Sequence, residues 1–127
     1  MGEKNRPVLG LAINVISGKA YAEKTTLAIF AKEMGLGTLD TATSSINGQR
    51  FLIVVDDEGL LKERQIASAV RLGKKPSDNP TVALVGPLLV LSEDGSGLTD
   101  DEVMTVMMSV GSYVRDDGTR QAALIVD

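Results

Sequence analysis

The sequence predicts an α+β domain, a mostly antiparallel sheet built from hairpins and covered by two or three helices. Three observations carry this expectation. The turn signals Ser17-Gly18 and Asn47-Gly48 separate short apolar runs, as hairpins require. Two segments, opening near Thr26 and at Thr99, combine helical spacing with residues that cap helix ends. Few connections are long enough for the crossovers that join parallel strands. With 127 residues there is room for one core, so a single domain over 1–127 is expected, with 1–7 as a flexible N-terminal stretch.

Val8 to Val15 is apolar with short interruptions, and Ala20 to Lys24 can return antiparallel to it after Ser17-Gly18. Leu27, Phe30, Ala31 and Met34 then fall on one helical face, with Thr25 or Thr26 at the start and Gly35 or Gly37 at the end. Thr38 to Ile46 reads as a strand with Leu39, Thr41, Thr43 and Ser45 on one side. Asn47-Gly48 turns it into Arg50 to Asp56, because both turn residues tolerate positive φ. The unbroken run Phe51-Leu52-Ile53-Val54-Val55 implies burial on both faces and a central place in the sheet.

Asp56-Asp57-Glu58-Gly59 ends that strand, and Leu60 to Leu72 carries an imperfect helical pattern through Leu61, Arg64, Ala67 and Val70, the third helix of the expectation. Gly73 to Pro80 has loop composition. Thr81 to Val85 and Leu88 to Ser92 read as strand pieces around Gly86-Pro87, a pair that suggests a bulge or an edge because proline donates no ladder hydrogen bond. Leu98-Thr99-Asp100-Asp101-Glu102-Val103 spells a helix start: Thr99 as N-cap, Glu102 completing a capping box, and Leu98 against Val103 as a staple. Val103, Val106, Met107, Val110 and Tyr113 or Val114 continue an apolar stripe. Asp117-Gly118 leads into a final strand, Gln121 to Val126.

Composition narrows the chemistry. The chain has no histidine and no cysteine, which removes the imidazole that titrates near neutral pH, the thiolate nucleophile, and the usual zinc ligand sets. Binding without catalysis is therefore expected, with no cofactor and no metal. The apolar fraction is 43% but the only aromatics are Tyr21, Phe30, Phe51 and Tyr113, so the core must be mostly Val, Leu, Ile, Ala and Met. A small aliphatic core favours association, and a homo-oligomer is expected. The net charge of −4 argues against a partner made of long nucleic acid. No apolar run approaches the roughly 18 residues that span a bilayer, and the N-terminal residues lack the apolar stretch of a signal peptide. A cytoplasmic protein with no membrane partner is the expectation.

Several of these segments are similar to a known family. The Leu39-Asp40-Thr41 strand, Ile46-Asn47-Gly48-Gln49-Arg50, Ile53-Val54-Val55-Asp56-Asp57-Glu58-Gly59-Leu60-Leu61-Lys62, the Val85-Gly86 strand and Gly97-Leu98-Thr99-Asp100-Asp101-Glu102 follow a hairpin and a short helix ending in glycine. This order resembles the domain-of-unknown-function 3846 family over roughly residues 8 to 114, with Asp56 to Lys62 its most specific part. The sequence departs from that pattern at Pro87 and in the Lys74 to Pro80 stretch. The resemblance implies a phage, plasmid or other mobile-element setting and assigns no catalytic residues.

Candidate functional residues fall into three groups. Lys62, Arg64, Arg71, Lys74 and Lys75 gather basic charge in an otherwise acidic chain. They are the candidate ligand-binding residues, suited to a small anion or nucleotide at a subunit interface, beside the alternative of a solvated face. Glu93, Asp94, Asp100 and Asp101 form an acidic surface through which the chain could bind and modulate a host protein. Asp56, Asp57 and Glu58 could serve a carboxylate enzyme with Mg²⁺, although acids before a glycine are first of all turn formers. Gly35-Leu36-Gly37 follows a helix and lacks a third glycine, so it reads as a helix stop. The Asp94 to Gly97 loop lacks the ligand spacing of a calcium loop.

Overall fold

A computed structural model describes residues 6–15, 17–56, 67–75, 77–114 and 117–127. Their order is β1 (Val8–Asn14), β2 (Lys19–Thr25), α1 (Leu27–Met34), β3 (Leu39–Ile46), β4 (Gln49–Asp56), β5 (Ala67–Arg71), β6 (Thr81–Val85), β7 (Leu88–Ser92), α2 (Asp100–Met108), β8 (Val110–Val114) and β9 (Arg120–Val126). The strands form two sheets, one ordered β2-β1-β7-β4-β3 and the other β6-β5-β9-β8. Every pairing is antiparallel except β5 with β9. The α+β class with mostly antiparallel strands holds, but the strands divide into two sheets where the sequence suggested one.

The alternation of side chains along the strands builds the layers. Leu11 and Ile13 of β1, Phe51 and Ile53 of β4, and Leu88 and Val90 of β7 point inward, where they meet Ala69 of β5, Leu124 and Val126 of β9, and Val106 of α2. The residues between them, Ala12, Val54, Leu89 and Leu91, face the other way and pack against Phe30 and Met34 of α1. The inner strands β1, β7 and β4 thus bury side chains on both faces of the five-stranded sheet. Its packing is mostly aliphatic, with Phe30 and Phe51 fully buried among the smaller side chains.

Local chemistry sets the turns and helix ends. Gly18 (φ 73°), Asn47 (φ 51°) and Gly48 (φ 82°) adopt the left-handed backbone that tight hairpins need. Thr26 caps α1 by accepting the Ile29 N–H at 3.1 Å. Gly35, with φ 70°, ends it. Thr99 and Glu102 form the reciprocal capping box at the start of α2, and Leu98 and Val103 both pack on the inner core. The chain reaches α2 by crossing β1 closely, with Leu98 N–H donating to Leu9 C=O at 2.7 Å.

Three sequence expectations are corrected. The helix expected over Leu60 to Leu72 is a strand in its last part: β5 is buried between β6 and β9, and the Gln121 amide donates to the Ala67 carbonyl. Small residues at Ala67, Ser68 and Ala69 suit a central strand pressed between neighbours. The earlier residues of that segment, 60–66, lie outside the described part. The apolar stripe expected to run through Val110 to Val114 ends at Met108, because Ser109 closes α2 and its carbonyl already accepts the Ile125 N–H at 2.7 Å, opening β8. Gly86-Pro87 does adjoin an edge strand, β6, but it separates two strands of different sheets where the sequence suggested pieces of one. Gly86, with φ 80°, moves the chain from β6 in one sheet to β7 at the centre of the other.

Candidate functional site

Five strands about 4.8 Å apart make a sheet about 19 Å across, while the eight residues of α1 give a cylinder about 12 Å long and 10 Å wide. The helix therefore leaves part of the outer sheet face uncovered. A cleft of about 560 Å³ opens there, a size that suits a small ligand. Its floor is Leu52 and Val54 of β4 with Leu89 and Leu91 of β7. Val8 and Leu27 extend the apolar lining, and Thr25, Thr26, Thr41 and Arg6 bring polar groups to it. Gly95, in the turn after β7, completes the wall.

Each polar group is set by its element. Thr25 ends β2, is buried, and donates to the Thr26 carbonyl at 3.2 Å. Thr26 and Leu27 place the first turn of α1 at the cleft. That turn contains no acidic residue, whereas the first turn of α2 has Asp100, Asp101 and Glu102. The positive end of the α1 dipole is thus left without an intrahelical counter-charge, and Arg6 brings a full positive charge to the same cleft. Gly10 matters by being small: a Cβ there would stand 2.8 Å from Leu89 Cδ1 and 3.0 Å from Leu91 Cδ2, so its absence lets the floor residues lie flat across β1.

The outer face also carries acid beyond the cleft. Burial, then the neighbouring Glu33 carboxylate, raises the Glu23 carboxyl above its ordinary value. Its Oε1 is buried without a hydrogen-bond partner among the described residues. Tyr21 is raised too, by burial first and by Glu23 second.

The residues singled out in the sequence fall elsewhere. Arg71 is exposed at the end of β5 and its Nε donates to the Asp127 main-chain oxygen at 3.0 Å. Lys74 and Lys75 are exposed in the following loop, where Lys75 N–H donates to Asp78 Oδ2 at 3.1 Å. None of the three lines the cleft. Lys62 and Arg64 lie outside the described residues, as do Asp57 and Glu58. Asp56 is buried at the end of β4.

The acidic surface gathers in part. Glu93, Asp94, Thr99 and Glu102 border a shallow hollow of about 560 Å³ after β7. Its charges are already engaged: Glu93 pairs with Arg50 at 3.2 Å, Asp94 accepts the Ser96 hydroxyl and N–H, and Glu102 belongs to the capping box. Among the described residues no group of three or more acids is placed to hold a metal ion. No helix among them is long and apolar enough to cross a membrane.

Sequence reasoning missed the cleft because its floor residues read as ordinary core. The one available signal was the shortness of α1 against so many strands. Set against known protein families, curated proteins and solved structures, the chain matches none.

Proposed function

We propose that the protein is a non-catalytic binding protein that holds a small molecule with an apolar body and one anionic group in the cleft beside α1. The observation that carries this reading is that an aliphatic floor, Arg6 and the start of α1, whose first turn has no acidic residue, line the same hollow. The threonine hydroxyls supply orientation. A single cation suits one carboxylate, sulfonate or phosphate, and an aromatic base or alkyl chain suits the floor. The lack of imidazole and thiol groups supports holding over turnover. In a mobile element, the setting the family resemblance implies, such a protein acts by withholding a host metabolite in the cytoplasm.

Titration calorimetry with decanoate, decanol and decylamine tests the reading, since the three share a chain and differ only in the head group. Decanoate is expected to bind tightest. Arg6→Gln is expected to weaken decanoate about threefold, the scale of an exposed ion contact, and to leave decanol unchanged. Thr41→Trp, at an exposed position on the cleft, is expected to block all three. Equal affinity for the three, or no decanoate binding, refutes it.

A further inference from the structure

Sheet edges expose unpaired backbone donors and acceptors, and proteins guard them with charge, proline or irregular pairing. The edges of the larger sheet are β2 and β3. β2 carries Lys19, Glu23 and Lys24, and β3 carries Asp40. In the smaller sheet β6 is bracketed by Pro80 and Pro87, and its pairing with β5 shifts register twice. The remaining edge, β8, reads Val-Gly-Ser-Tyr-Val, with neither charge nor proline, and pairs with β9 in unbroken register.

The hydrogen-bond pattern shows which groups of β8 face outward. Ile125 N–H donates to Ser109 C=O at 2.7 Å, whereas Ala122 N–H, opposite Ser112, donates away from β8 to Gly18 C=O at 2.9 Å. Antiparallel ladders alternate, so Val110, Ser112 and Val114 turn their N–H and C=O groups away from β9. No described strand pairs with them.

The helix leading into this edge is equally bare. Met104, Met107 and Met108 share one face of α2 at the i, i+3, i+4 spacing, and they are 62%, 42% and 80% exposed. Val114 at the far end of β8 is 52% exposed. Together these four side chains offer on the order of 400 Å² of apolar surface, about half of what one partner contributes to a standard interface, before any strand contact is counted.

We propose that a second copy of this chain occupies this surface, with β8 pairing antiparallel to its own copy about a two-fold axis at Ser112 and α2 packing beside it. An outward-facing residue then meets an outward-facing residue throughout: Ser112 meets the partner's Ser112, and Val110 meets the partner's Val114. A chain of net charge −4 repels its copy over most of its surface, and this edge brings no like charges opposite each other. Methionine side chains adapt to such a self-matched contact.

Sedimentation equilibrium of the full chain, from micromolar to near-millimolar concentration, tests the proposal. A dimer is expected. Ser112→Pro removes an outward N–H while sparing the ladder with β9, and Met104→Lys with Met108→Lys charges the exposed helix face. Each is expected to weaken dimerisation at least about tenfold, with a circular dichroism spectrum matching the parent. If the proline variant misfolds, the lysine variant decides alone. A parent chain that stays monomeric throughout, or a dimer that persists in the folded variants, overturns the proposal.

Discussion

The Asp127 carboxylate accepts the Ser45 hydroxyl at 2.6 Å, and the same carboxylate takes the N–H groups of Asn47 at 3.1 Å and Gly48 at 2.7 Å. Asp127 N–H donates in return to Ser45 C=O at 2.9 Å. The end of β9 in one sheet is thereby tied to the β3–β4 turn of the other. The Ser45 hydroxyl first, then the Gly48 N–H, hold the Asp127 carboxyl below its ordinary value. A depressed folded value adds stability that is present above pH 3.8, the ordinary value, and lost as pH falls through the folded one. Asp127→Ala is expected to lower Tm by a few degrees at pH 7 and by less near pH 3; thermal melts at both pH values check this.

Glu102 links α2 to the larger sheet. Its carboxylate accepts Thr99 N–H at 3.0 Å, Ser92 Oγ at 2.9 Å and Gln49 Nε2 at 3.3 Å. Thr99→Ala removes only the cap and is expected to cost about 1 kcal/mol. Glu102→Ala also removes the contacts to Ser92 and Gln49, and about 2 kcal/mol is expected. Urea denaturation of both variants measures the difference, and equal losses would show that the contacts to β4 and β7 contribute nothing.

Glu23 acts in the opposite sense to Asp127. Its carboxyl is raised by burial and by Glu33, so the ionised form is disfavoured in the folded state, and stability falls as pH rises through 4.5 towards the raised folded value. Glu23→Gln is expected to stabilise the fold by on the order of 0.5 kcal/mol at pH 7, allowing for solvent screening, and by nothing near pH 3. Paired melts at the two pH values check the sign.

Two glycines are held by close approach. Gly10→Ala sets a methyl 2.8 Å from the Leu89 side chain, which can move, and about 1–2 kcal/mol is expected. Gly97→Ala sets one 2.9 Å from the Leu9 backbone nitrogen, which cannot yield as a side chain does, so the larger loss is expected there. Denaturant midpoints of the two variants give the ranking.

Elements governed by local chemistry were legible in the sequence. Asn47-Gly48, Thr26 with Gly35, and the Thr99–Glu102 box each specify their own backbone and appear where expected. The run Phe51 to Val55 announced a strand buried on both faces, and β4 is one, between β3 and β7. What was not legible depends on distant partners. Ala67 to Arg71 has weak strand character and is a strand because β6 and β9 flank it. The cleft arises from the mismatch between a short helix and a wide sheet, which no local motif records.

The most direct measurement is an amide chemical-shift map of the full chain titrated with decanoate. Binding in the cleft predicts the largest shifts at Val8, Thr26, Thr41, Leu52 and Gly95, with Lys74, Lys75 and α2 unmoved. Shifts centred on Lys74 and Lys75, or none up to the solubility of the probe, would contradict the assignment of the cleft as the binding site.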